Sequence, residues 1–290
     1  MRINEEAGVP KGLYELSSTI AQDIVYFNEL TDDEISEMVR YGDEIRRSVE
    51  FNGGTVTYHV FYDENTMNKG NADSDSISVN VARLVDAMKD GDDDGIDRAF
   101  DEIMTAILHE LTHLYSFQQG YRGGKDDHIW LKYNGNLDSE VREFIYCLDQ
   151  SEMNARVSSS VSLYDRYYMN SDGGFKDVMK KVMADHELRF YILDYVMMHL
   201  TEELKYAEEN GDFFKEHMKG SYYGFSLAAN DTRLFGGGVK KALRICSKDY
   251  ASVLRYEIKF YRRIIENYRN KIYKACWNFA VKNNISDEIG

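Results

Sequence analysis

Two histidines four residues apart, with a glutamate directly after the first, stand in the stretch ILHELTHLYSFQQG (107–120): His109-Glu110-Leu111-Thr112-His113. On an α-helix, positions i and i+4 share a face one turn apart, so the two imidazoles can grip one metal ion between them. Glu110, one position on, is turned by about 100° around the axis. It is not a ligand; it stands beside the ion, where a water could give it a proton. Two imidazoles and one further protein donor leave the fourth position of a tetrahedral zinc ion open. A water held there is acidified to a pKa of about 7, and Glu110 takes its proton as the water attacks a carbonyl. This is the H-E-x-x-H pattern. The plain alternative is a pair of core or surface histidines that hold no metal. The flanking sequence favours the helix that the chemistry needs. Apolar residues recur at Phe100, Ile103, Met104, Ile107, Leu111 and Leu114, close to helical spacing.

The third ligand must come from elsewhere. The extended H-E-x-x-H-x-x-G-x-x-H pattern of metzincins fails here, because position 116 is Ser and position 119 is Gln. A carboxylate from a later helix remains, and 137–164 offers Glu140, Glu143, Asp149 and Glu152. Read as one helix, 138–167 places Val141, Ile145, Leu148, Ala155 and Ser159 in one stripe, with Glu152 in its middle. Glu143 falls opposite the stripe and Glu140 to its side. A lone carboxylate on a buried face is expensive unless it is paired or binds metal, which selects Glu152. Small residues around it (Ala155, Ser158, Ser159) let this helix approach another closely. The competing reading is a buried Glu152–Arg156 ion pair one turn long; Arg156 could also orient Glu152 toward a metal.

HELTH followed about 40 residues later by SEMNAR (151–156) resembles the gluzincin pattern of zincin-fold zinc metallopeptidases, in particular small bacterial and phage-type members with E-x-x-A as the second motif. The resemblance covers roughly residues 55–165. It implies His109, His113 and Glu152 as zinc ligands, Glu110 as general base, and a sheet edge beside the active helix that binds substrate as an added strand. The strand expected at 76–82 is the natural candidate for that edge. The second motif departs from the Asn-Glu-x-x-Ser-Asp form of the thermolysin branch, so substrate type does not carry over.

Weaker candidates surround this core. An oxyanion-stabilising Tyr, His or Arg is expected, and the 22 tyrosines do not single one out. YDRYY (164–168), His128 and His186 are candidates, the last also as a second-site ligand with Glu187. His59, His199 and His217 have no partner pattern. LFGGGVKK (234–241) lacks the Lys-Ser/Thr ending of a phosphate loop and reads as a connection. The run KDGDDDGID (89–97) lacks EF-hand ligand order and reads as a solvated loop.

These groups must be positioned by a chain of 290 residues with a single proline, so helices can run long. Helices are expected at 13–28, 32–50, 97–119, 138–167, 175–209 and 238–282, with strands at 53–63 and about 76–82. The fold class is therefore α+β, predominantly helical: a zincin-like core with a small sheet and an extended helical C-terminal part. One catalytic unit spans 1–290, its metallopeptidase core about 50–168 and its helical part about 175–285.

A net charge of −15 disfavours a nucleic-acid partner, and the basic run 259–274 reads as the solvated face of an amphipathic helix. Three scattered cysteines argue against a disulfide scaffold and suit buried thiols in a reducing compartment. No apolar run reaches the ~18 residues of a membrane span, and no basic start precedes an apolar run, so a cytoplasmic protein with no membrane partner is expected. Together these features imply zinc-dependent hydrolysis of a peptide bond in a peptide or protein substrate. The alternative is a structural or binding protein, phage-related, that keeps the core for metal-stabilised folding or self-processing.

Overall fold

A computed structural model describes residues 12–27, 32–42, 44–51, 54–65, 70–73, 75–118, 139–170, 173–185, 187–210, 222–230 and 238–283. His128, His186 and His217 fall outside the described residues. Helix α1 (Leu13–Gln22) runs on into a π-helical turn, Asp23–Phe27. Helix α2 (Asp32–Tyr41) is shorter than the 32–50 expected. Gly42, with φ of +70°, ends it, and the chain continues as strand β1 (Ile45–Phe51). The signal was present but local: Ile45, Arg47 and Val49 are half-buried while Arg46, Ser48 and Glu50 are exposed, a period of two.

Strand β2 (Gly54–Phe61) pairs antiparallel with β1, Phe51 facing Gly54. The sequence between them, Asn52-Gly53, is the dipeptide that two-residue hairpin connections favour. Strands β3 (Gly70–Ala72) and β4 (Ser76–Asn80) complete a sheet of order β1-β2-β4-β3. β4 runs parallel to β2 and antiparallel to β3. The expected strand at 76–82 is therefore interior, not the edge. Among the described residues the edges are β1 and β3; β3, which lies against Glu110, has three residues in a stretch too polar and too short for its pattern to be read.

Tyr58, Val60, Ile77 and Val79 are fully buried on one face of the sheet. Helices α1, α3 (Ala82–Asp90) and α4 (Asp93–Gln118) cover it with Leu16, Ile20, Leu84, Val85, Ile103, Ile107, Leu111 and Leu114. Four apolar residues of α4 buried at this face contribute on the order of 1.5–3 kcal/mol each. The expected acidic loop at 89–97 shrinks to the turn at 91–92, because Asp93 and Asp94 suit the positive end of α4 and start it early.

The expected helix 138–167 is two: α5 (Ser139–Cys147) and α6 (Gln150–Met169). Asp149 restarts the helix, its carboxylate accepting from the Ser151 and Glu152 N–H groups at 2.8 and 3.4 Å. The expected 175–209 is described as α7 (Phe175–Asp185) and α8 (Glu187–Asn210), and 238–282 is divided into α10 (Val239–Cys246) and α11 (Tyr250–Lys282), with α9 (Tyr223–Asn230) between the pairs. The protein is thus α+β and mostly helical.

The chain folds as two compact units. The first comprises Met1–Tyr121, Asn154–Val182 and Lys271–Gly290. It holds the sheet, α1–α4, most of α6 and of α7, and the end of α11. Here Tyr164 packs on Phe175 and Phe279, and Cys276 donates to the Ser160 carbonyl at 3.4 Å. Burial pushes the Tyr164 hydroxyl up to about 12. The second unit comprises Arg122–Met153 and Met183–Asn270. Its α8 and α11 lie antiparallel, for Asp194 pairs with Arg269 and Glu208 with Arg255 at the same spacing in opposite directions. Phe144 of α5 meets Tyr261 edge to face, with centroids 5.0 Å apart. In α11, Lys259, Arg262, Arg263 and Lys274 are exposed while Tyr261, Ile265, Tyr268 and Ile272 are buried, the amphipathic face that the sequence suggests. All three cysteines are buried, and none of them forms a disulfide. Among the described residues, no helix is long and apolar enough to cross a membrane.

Candidate metal centre

Helix α4 turns its apolar face to the sheet, which leaves His109 and His113 on the flank of that face. His109 is half-buried. Their Nε2 atoms stand 3.2 Å apart, with the rings near perpendicular at 73°. Two nitrogens bound to one tetrahedral zinc at about 2.0–2.1 Å would be about 3.3 Å apart. The histidines therefore already hold the separation that a shared metal requires. Phe117, a further turn on, stacks on His113 with centroids 6.5 Å apart, which limits the rotation of that ring. Thr112 and Ser116 bond back to the carbonyls of Leu108 and Thr112, each at 2.8 Å, and so spend their hydroxyls within the helix.

The third donor arrives on α6. Thr105 of α4 and Ser162 of α6 share a hydrogen bond of 3.1 Å, and Asp165 of α6 accepts from Tyr14 of α1. These contacts fix the body of α6 in the first unit. From Ser162 the helix runs back to Glu152 as α4 runs forward to His109 and His113. Ala155, Ser158 and Ser159 are buried on α6, and their small side chains permit a close approach. Glu152 is in the first turn of α6, near the cap, and is only 7% exposed. One donor atom each from His109, His113 and Glu152 lie within 4.8 Å of one another. The donor set of two imidazoles and a carboxylate suits a divalent cation of the zinc kind. Among the described residues this is the one group of three or more His, Cys, Asp or Glu side chains so arranged.

The competing carboxylates are engaged elsewhere. Asp149 caps α6. Glu140 accepts from Ser139 at 3.1 Å, and Glu143 is exposed on α5, with Cys147 Sγ 3.6 Å from its carboxylate. The stripe that singled out Glu152 assumed an unbroken helix, and the break at Leu148–Asp149 removes its α5 half. Burial of Glu152 survives because Ala155 and Ser159, on the α6 half, still share its face. Arg156 is buried one turn after Glu152. Glu110 is 8% exposed and packs against the edge strand at Gly70.

Other candidates find ordinary roles. Tyr164 belongs to an aromatic cluster, His59 pairs with Glu44 at 3.4 Å, and His199 pairs with Glu202 at 3.2 Å. Gly238 precedes α10, so the last part of LFGGGVKK opens a helix. One polar node carried no sequence signal. Glu203 accepts from the Tyr223 and Gly224 N–H groups at 2.7 and 3.1 Å and from the Tyr250 hydroxyl at 2.8 Å, holding the start of α9. Burial raises the Glu203 carboxyl above its ordinary range, against the lowering effect of these bonds. Compared with family models, curated proteins and solved structures, the chain finds no match.

Proposed function

We propose that this protein is a zinc-dependent peptidase of the zincin type that hydrolyses peptide bonds. The observation that carries the reading is the convergence of His109, His113 and buried Glu152, with Glu110 buried beside them. A site that served only to hold metal would have no need of a buried glutamate next to its first ligand. His109, His113 and Glu152 would hold the ion, and the ion when bound supplies Lewis acidity toward a carbonyl and toward water. Glu110 accepts the proton of the attacking water and returns it to the leaving amine. Among the described residues β3 is an edge of the sheet, a place where an extended peptide could add as a further strand. That supports a peptide substrate over a compact small molecule.

The test is Glu110→Gln, prepared beside the wild type and assayed on denatured casein and on a mixed peptide library, with zinc measured by elemental mass spectrometry. The expected outcome is about one zinc per chain in both proteins and a loss of 10²–10⁴-fold in rate, roughly the worth of a general base. Equal biological function of the two proteins, with zinc bound in each, would instead favour a structural or binding protein that uses metal for folding.

A further inference from the structure

Gly12, Gly42, Gly91 and Gly238 take positive φ and so have a backbone reason to be glycine. Gly70 does not. It is buried in β3, where any residue could adopt the backbone, and the reason for its identity is space. A Cβ at Gly70 would stand 2.9 Å from Glu110 Cγ, 2.9 Å from the Ser78 carbonyl oxygen and 3.4 Å from Glu110 Oε1. Carbon atoms in contact prefer about 3.5–4.0 Å. The Glu110 side chain therefore occupies the place that a side chain at position 70 would take, lying along the edge strand.

We propose that Gly70 is a positioning residue for Glu110: its bare Cα seats the glutamate against β3 and restricts where the carboxylate can swing. A free glutamate samples many rotamers, and each one that leaves the reacting water is lost to catalysis. Here the helix holds the side chain at its root and the strand backbone walls it along its length. The strand that would carry substrate and the group that would take the proton are thereby held in register. This inference rests on the hydrolytic reading of the site, and it names a residue outside the H-E-x-x-H motif as part of its geometry.

The experiment compares Gly70→Ala, Glu110→Ala, the double variant and Glu110→Gln with the wild type, reading zinc content, kcat and KM on a peptide substrate, and the Tm of the metal-free chains. The expected result for Gly70→Ala is zinc at the wild-type level, KM unchanged and kcat lower by about 10²-fold, the cost of misplacing a reacting group by about 1 Å. The Tm drop caused by Gly70→Ala should be at least roughly halved when Glu110 has already been trimmed to Ala, because the two side chains then no longer collide. If Gly70→Ala alone fails to fold, recovery of folding in the double variant supports the same contact. A double variant that also fails to fold, or Tm drops that simply add, would overturn it, since Ser78 would then be the neighbour that matters. A raised KM with unchanged kcat would overturn it too, by assigning Gly70 to the strand alone. Full kcat in Gly70→Ala while Glu110→Gln is inactive would sink this inference and leave the hydrolytic reading standing. A wild type no more active than Glu110→Gln would sink the hydrolytic reading itself.

Discussion

Glu152→Gln separates a metal centre from a chance cluster. The substitution keeps the size of the side chain and removes its charge and its better donor. In the wild type the imidazole nitrogens need almost no rearrangement, since their 3.2 Å separation matches a shared tetrahedral ion. The Glu152 oxygen lies within 4.8 Å of them and has to close by up to about 1.5 Å, within reach of a rotation of its carboxylate. With free zinc held at about 100 times Kd, binding stabilises the folded state by about 2.7 kcal/mol. At about 2.1 cal/mol/K per residue, unfolding of the 290-residue chain carries about 0.6 kcal/mol/K, so Tm should rise by about 4–5 °C. Loss of the hydrogen-bond partner that orients a metal ligand costs about 10–100-fold in affinity, and loss of a ligand itself at least about 100-fold. At the same free zinc, the Glu152→Gln chain would sit near its own Kd and gain about 0.4 kcal/mol, a shift under about 1 °C. The assay is differential scanning calorimetry of EDTA-stripped protein in a zinc buffer, with zinc content measured on the same samples. An equal Tm rise and full zinc in Glu152→Gln would refute the three-residue site. No zinc-dependent rise in the wild type would refute metal binding altogether.

Two further outcomes follow from the hydrogen bonds. Asp149→Ala removes the cap of α6 and should cost about 1 kcal/mol of stability; because Glu152 stands in the same first turn, zinc affinity should fall by roughly tenfold, read by competition with a fluorescent chelator. Glu203→Gln should destabilise the second unit by about 1–2 kcal/mol, since an amide nitrogen would face one of the three donors that the carboxylate now accepts. Its pH dependence has a definite sign. The folded carboxyl is raised by burial, so the native state holds a proton that the unfolded chain has lost; stability from Glu203 is present at low pH and declines as pH rises above the ordinary carboxylate range. Urea midpoints measured across that range should lose this decline in Glu203→Gln, and an unchanged slope would contradict the assignment.

The helix bearing His109, Glu110 and His113 was legible because its chemistry and its apolar period lie within one short stretch. Strand β2 and the inner strand β4 were legible from their alternation. The helical pattern of α2 runs on into β1 with no proline between them, and only the Gly42 turn and the sheet pairing divide the two. The break before α6 has a local cause in the Asp149 cap, which a reading of apolar periodicity passes over. β3 offered nothing to read: three residues of a polar stretch become a strand because β4 supplies hydrogen bonds to one of their sides.

By itself the sequence determined which groups could bind metal and accept a proton, and the period of the helix that presents two of the ligands. These are properties of covalent spacing along one element. The tertiary structure decided that Glu152 comes within 4.8 Å of the histidines, that β3 rather than β4 forms the edge, and that Gly70 lies against Glu110. Each of these joins segments far apart in the chain. Their distances depend on how α4 packs on the sheet and on α6, through side-chain volumes and hydrogen bonds that no local pattern encodes.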